Sequence, residues 1–121
     1  MSTQTTQIWK DFRQSMQSGN NHWQALVSDD IVFTGPMDQV KGKDDFIKLN
    51  LDFFKMVVGY DIHQQAASKD SVATEGTITV KSPRGKELAF DLAEFYRIKN
   101  GKIHSVSIYW DPREFIQEFS M

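Results

Sequence analysis

An Asn-Gly step, Asn100-Gly101, sits between two long β-prone runs and constrains the fold more than any other feature. Lys86 through Arg97 reads as one strand, and Lys102 through Trp110 as its return. Tight hairpin turns need positive φ at their central residues, and Asn and Gly reach it at least cost. The result is a long hairpin whose apolar face earlier elements must cover.

Those elements are legible in order. Thr5 or Thr6 is placed to cap a first helix, whose stripe of Ile8, Trp9, Phe12 and Met16 has helical spacing. Gly19 ends it. Asn21 and Gln24 have the spacing of a capping box, ahead of a short helix with Trp23, Leu26 and Val27 on one face. Ile31 to Phe33 is a short strand stopped by Gly35-Pro36, and residues 37–42 read as loop. Lys43 to Val58 is the longest predicted helix, with Phe46, Ile47, Asn50, Phe53, Phe54 and Val57 in register. Tyr60 to Ala67 and Ser71 to Lys81 are strands, the second rich in β-branched residues. Pro83-Arg84-Gly85 turns the chain into the final hairpin. With Lys81 set opposite Lys86, Gly76 meets Asp91 on one face, and Thr77 meets Phe90 on the other. Phe90, Leu92, Tyr96 and Tyr109 then need a cover, which predicts a homodimer through the outer sheet face or, alternatively, a last helix, Arg113 to Ser120, folded back with Phe115, Ile116 and Phe119.

With 121 residues the chain is one domain, 1–121, with room for a single core. A net charge of -2 and the lack of any Lys/Arg block argue against nucleic-acid binding. Having no cysteine, the chain can use neither thiolate chemistry nor cysteine-ligated metal. His22, His63 and His104 form no ligand spacing, so no metal is expected. Neither a leader pattern nor a bilayer-length apolar run is seen, and the expectation is a cytoplasmic protein without membrane contact.

Leu26 to Phe46, LVSDDIVFTGPMDQVKGKDDF, resembles the second-helix and first-strand region of the ketosteroid isomerase-like, SnoaL-like branch of the NTF2-like superfamily. Glu94 to Asp111, EFYRIKNGKIHSVSIYWD, resembles its last two strands. The resemblance implies an α+β fold: an NTF2-like cone with a curved antiparallel β-sheet wrapped against N-terminal helices. It also implies an apolar cavity opening at one end, and dimers are common in the group. Where the isomerases carry their carboxylate base, this chain has Gly35. Their oxyanion-holding Asp maps near Ala93, two residues from Asp91. Their first-helix Tyr maps near Phe12, and their cavity Trp onto Trp110.

Asp91 is therefore the candidate catalytic acid or base, because burial in an apolar cavity would raise its pKa. Its other reading is a structural carboxyl satisfied by a core donor. Trp9, Phe12, Phe33, Met37, Phe54, Ile108 and Trp110 are candidates to line the pocket, and each is also ordinary core material. Asp111-Pro112-Arg113-Glu114 reads as the start of a last helix and not as a catalytic group. Three functions compete. The first is an isomerase- or cyclase-like enzyme that moves a proton on a small hydrophobic metabolite without a cofactor. The others are a non-catalytic ligand-binding domain and a dimeric interaction module.

Overall fold

The computed structural model describes residues 3–119. The elements run α1 (Thr3–Ser18), a 3₁₀ helix (His22–Leu26), β1 (Val27–Thr34), β2 (Gln39–Lys41), α2 (Lys43–Phe54), β3 (Val57–Ala67), β4 (Ser71–Lys81), β5 (Glu87–Lys99), β6 (Lys102–Tyr109) and α3 (Arg113–Phe119). One six-stranded sheet has the order β2-β1-β6-β5-β4-β3 and does not close into a barrel. The expected α+β layout is present, but the sheet is mixed. β1 runs parallel to β6, while every other neighbouring pair is antiparallel. The long intervening chain makes a parallel return possible, which a tight turn cannot do.

The sheet curls because β3 is bulged twice, between Val57 and Gly59 and between Ile62 and Gln64. Gly76 on β4 permits the second approach. A Cβ at that position would stand 2.3 Å from the Asp61 carbonyl oxygen on β3. The residue accommodates the neighbouring backbone, a usual role of Gly in a strand.

The inner face packs in two groups. Trp9, Phe12, Trp23, Val27, Ile31, Phe46, Val72 and Tyr96 join α1, the 3₁₀ helix and α2 to the sheet. Ile78, Val80, Leu88, Phe90, Leu92 and Phe115 join the β4–β5 half of the sheet to α3. Phe115 and Phe119 stack at 4.2 Å, and Trp110 meets Phe115 edge-on at 5.5 Å. Glu118, itself buried, accepts hydrogen bonds from Ser82 and Arg84 and ties α3 to the β4–β5 turn.

The β4–β5 register differs from the expected one by one residue. Ser82 and Lys86 flank a loop of Pro83, Arg84 and Gly85, with the Ser82 N–H on the Lys86 carbonyl and Gly85 at φ +87. This three-residue hairpin sets Lys81 opposite Glu87, Gly76 opposite Leu92 and Thr74 opposite Glu94. A one-residue step exchanges every side chain between faces. Phe90, Leu92 and Tyr96 thus turn inward, and the large apolar residues exposed on the outer face are Phe95 and Tyr109. Most of the surface that suggested a homodimer is already covered within the chain.

Smaller differences have local causes. Thr5 lies inside α1 and its hydroxyl donates to the Lys69 carbonyl, so it pins the helix to the β3–β4 turn instead of capping it. Asn21 makes no side-chain cap of the 3₁₀ helix; its first N–H groups are taken by Asn20 Oδ1, from His22, and by Ser15 Oγ of α1, from Trp23. Residues 39–41 form an edge strand on β1 in place of loop. α2 stops at Phe54, because β-branched Val57 and Val58 join β3. The Asp111 side chain accepts the Arg113 N–H at 3.1 Å, which supports its structural reading. No helix among the described residues is long and apolar enough to cross a membrane.

Candidate active site

A cavity of about 450 Å³ lies between the two packed groups, bounded by α1, α2, the inner sheet face and α3. Phe46, Phe53, Ile78, Val80, Phe90, Leu92 and Phe115 give it apolar walls. Gln17, Pro36, Met37, Asp38 and Val58 line it while remaining exposed, which marks its mouth.

Away from the mouth, the charged side chains of this wall gather in one place. Strand β5 alternates Leu88, Phe90, Leu92, Glu94, Tyr96 and Ile98 toward the inside. Glu94 is therefore carried inward with the apolar set and is only 5% exposed. The Tyr60 hydroxyl on β3 donates to its Oε1, and the Thr74 hydroxyl on β4 approaches the same atom at 3.4 Å. Arg13, projecting from α1, lays its guanidinium over the Tyr60 ring, with Cζ 4.3 Å from the centroid. Arg13, Tyr60, Glu94 and Tyr96 all line the cavity.

Burial pushes the Glu94 carboxyl up to about 7, against the opposing pull of the Arg13 guanidinium and the Tyr96 hydroxyl. The Tyr96 hydroxyl is itself held well above its ordinary range, by burial first and by the Glu94 charge second. A carboxyl that titrates near neutrality can take or give a proton at little cost. Two hydroxyls and a cation around it can stabilise charge on a neighbouring oxygen. Among the described residues no group of three His, Cys, Asp or Glu side chains converges as a metal site.

Residues 10–106 match the SnoaL-like domain. The chain belongs to the SnoaL-like domain family. Solved structures agree on the fold of this SnoaL-like chain. An NTF2-like protein of unknown function from Burkholderia pseudomallei K96243 superposes with a TM-score of 0.82 at 14% identity, covering 98% of this chain and 99% of that one. A candidate SnoaL-like polyketide cyclase from Mesorhizobium loti gives 0.71 at 24% identity, covering 87% and 97%. TerC, co-crystallised with polyporic acid, gives 0.82 at 13% identity, covering 98% and 100%. A comparison with curated protein sequences found no match.

In this SnoaL-like cavity Phe12, Phe33, Met37, Phe54, Ile108 and Trp110 lie on the wall. Trp9 does not; it packs edge-on against Tyr96 at 6.2 Å in the core beside the cavity. Asp91 is the larger correction. It is exposed on the outer face, where the Thr77 hydroxyl donates to its Oδ1 at 2.8 Å and His63 Nε2 lies 3.2 Å from that hydroxyl. The one-residue change in register moved Asp91 out and Glu94 in. Gly35 stays in the β1–β2 turn, its N–H on the Asp38 carbonyl, and lines the mouth without offering a side chain. Glu94 was missed although the sequence held a signal for it: it stands in phase with five apolar residues at period two.

Proposed function

We propose that this SnoaL-like protein binds a small hydrophobic carbonyl compound in its cavity and moves a proton on it with Glu94. The reaction is isomerase- or cyclase-like and needs no cofactor. Deprotonated Glu94 takes a proton from the carbon beside the carbonyl, and the electron pair moves onto the carbonyl oxygen as an enolate. The same carboxyl then returns the proton, to that carbon or to an atom made basic by rearrangement. The observation that carries this reading is a buried carboxyl, with a pKa near 7, facing the cavity from a wall that is otherwise largely apolar. Catalytic carboxyls are tuned into this range by burial in apolar sites. Family membership and the polyketide-cyclase description of the Mesorhizobium relative are compatible with it.

The test is hydrogen–deuterium exchange. Cyclic and aryl ketones of graded size are held in D₂O with the protein, and loss of the α-proton signal is followed by NMR. Wild type is expected to accelerate exchange on at least one ketone, and Glu94→Gln to abolish the acceleration. Equal rates with wild type, Glu94→Gln and buffer across the series overturn the reading.

A non-catalytic binding domain is the second reading, and one observation favours it. Tyr60 and Thr74 both direct hydroxyls at the same Glu94 oxygen, as a merely satisfied core acid would require. In that case ketones bind and no exchange is accelerated.

A further inference from the structure

The Nε–H of Arg13 is buried and has no acceptor among the described residues. The rest of the guanidinium is poorly served. Its Nη1 reaches only the Met16 sulfur at 4.0 Å, and its face rests on the Tyr60 ring. No ion pair within 4.0 Å joins it to Glu94; those present among the described residues are Lys55–Asp52, Arg84–Glu118 and Arg113–Asp111. A guanidinium is a planar fork of five donors suited to an anionic oxygen, and a buried donor left unpaired is costly. Arg13 therefore brings a cation whose donors are poorly satisfied to the cavity wall, next to a carboxyl it does not grip.

The other charges around it sharpen the argument. The titratable groups lining the cavity are Arg13 from α1, Asp38 from the exposed β1–β2 turn, Tyr60 from β3, and Glu94 and Tyr96 from β5. Below neutrality Glu94 is largely protonated, so the polar end of the cavity carries an uncompensated positive charge.

We infer that this polar end is an anion subsite, in which Arg13 receives the negatively charged oxygen of an apolar ligand that bears a carboxylate or an acidic enol. The inference rests on the cavity being a ligand site, as proposed above, and adds the charge of the ligand. In the reaction, the same cation would hold the oxygen that gains charge as Glu94 removes the proton.

The probe is a series of aromatic carboxylates of one to three fused rings, each paired with its carboxamide. Affinities are measured by calorimetry at fixed ionic strength. For the best-fitting pair, wild type is expected to favour the acid at least tenfold at pH 6. Arg13→Gln should bring the ratio close to one, and Arg13→Lys, which keeps the charge, should retain part of it. In wild type the acid should bind several-fold more weakly at pH 8 than at pH 6, because ionised Glu94 repels it; in Glu94→Gln the acid affinity should be flat. Equal binding of acid and amide by wild type, no binding of any acid, a preference that survives in Arg13→Gln, or tighter acid binding at pH 8 each overturns the inference. The wild-type ratio and its pH dependence need no variant to fold. Because the readout is equilibrium binding, it is separable from deuterium exchange. An acid preference without exchange removes only the chemistry of Glu94, and exchange on neutral ketones without acid preference removes only the anion subsite.

Discussion

Tyr60 and Glu94 are hydrogen-bonded across a whole strand: Tyr60 stands on β3, Glu94 on β5, and β4 runs between them. The contact exists only because the bulges of β3 fold it over the inner face. Tyr60→Phe removes a donor from a buried acceptor and should destabilise the protein by about 1–3 kcal/mol. It should also raise the Glu94 pKa, since a donor to the carboxylate favours the charged form. Urea unfolding checks the first outcome and carbon-13 titration of the Glu94 carboxyl the second.

Glu94 makes stability depend on pH in an unusual direction for an acid. It titrates near 7 in the folded chain and near 4.5 as a free side chain. Below pH 4.5 it is protonated in both states. From 4.5 to 7 the unfolded chain releases the proton and the folded chain keeps it, so the contribution to stability falls as pH rises through that window. The fall is about 1.4 kcal/mol per pH unit and about 3 kcal/mol overall. Glu118 acts oppositely: Arg84 and Ser82 hold it below the usual carboxyl range, so its contribution is lost on acidification. The stability difference between wild type and Glu94→Gln isolates the first effect. It should shift toward the variant by about 3 kcal/mol between pH 4.5 and 7. A difference independent of pH would show that Glu94 titrates normally.

Gly76→Ala tests the origin of the curvature. Its new methyl group would meet the Asp61 carbonyl at 2.3 Å, a backbone atom unable to rotate away. Overpacking against fixed backbone should cost about 3 kcal/mol and move β3. Chemical denaturation reads the cost, and amide exchange along residues 57–67 reads the displacement. Gly59→Ala is the control, since the nearest atom to its Cβ would be Thr79 Cβ at 3.9 Å.

Beside its aromatic contacts, α3 is tied to the β4–β5 turn by one buried acid. Glu118→Ala strands the Ser82 hydroxyl and frees Arg84, whose side chain is 55% exposed and can turn to solvent. A modest loss of stability is expected, limited by that exposure. Amide protection should fall over residues 113–119 with little change in β4 and β5. Uniform loss across the sheet would mean that α3 belongs to the main cooperative unit.

The strands of the final hairpin, the helical stripe of α1 and the start of α2 were legible because each depends on local periodicity or turn chemistry. The parallel pairing of β1 with β6 was not, since no local pattern encodes a partner some 70 residues away. The site turned on a smaller matter. Asp91 drew attention because it lies two residues from Ala93, where the isomerases' oxyanion-holding Asp maps, and because the expected register turned its face inward; residues two apart in a strand share a face. By that rule Glu94 belongs with Leu92 and Tyr96, and Asp91 with Ala89 and Ala93. The turn at Pro83–Gly85 decides the matching register in β4, and a one-residue error there was enough to favour the wrong acid. Arg13 and Tyr60 had no sequence signal, because the packing of α1 and the bulges of β3 bring them near Glu94 only in the folded chain.

The parallel seam between β1 and β6 also sets a schedule during synthesis. β1 and β2 leave the ribosome early, but the strand that seats them in the sheet is the last to emerge. Until β6 is complete, Val32 and Phe33 have no sheet neighbour on that side, and the apolar interior of the future cavity is open to solvent. Pairings between distant segments form slowly and leave such surface exposed. The nascent chain is thus most vulnerable to aggregation just before β6 is made, when most residues of the pocket exist and the pocket itself does not.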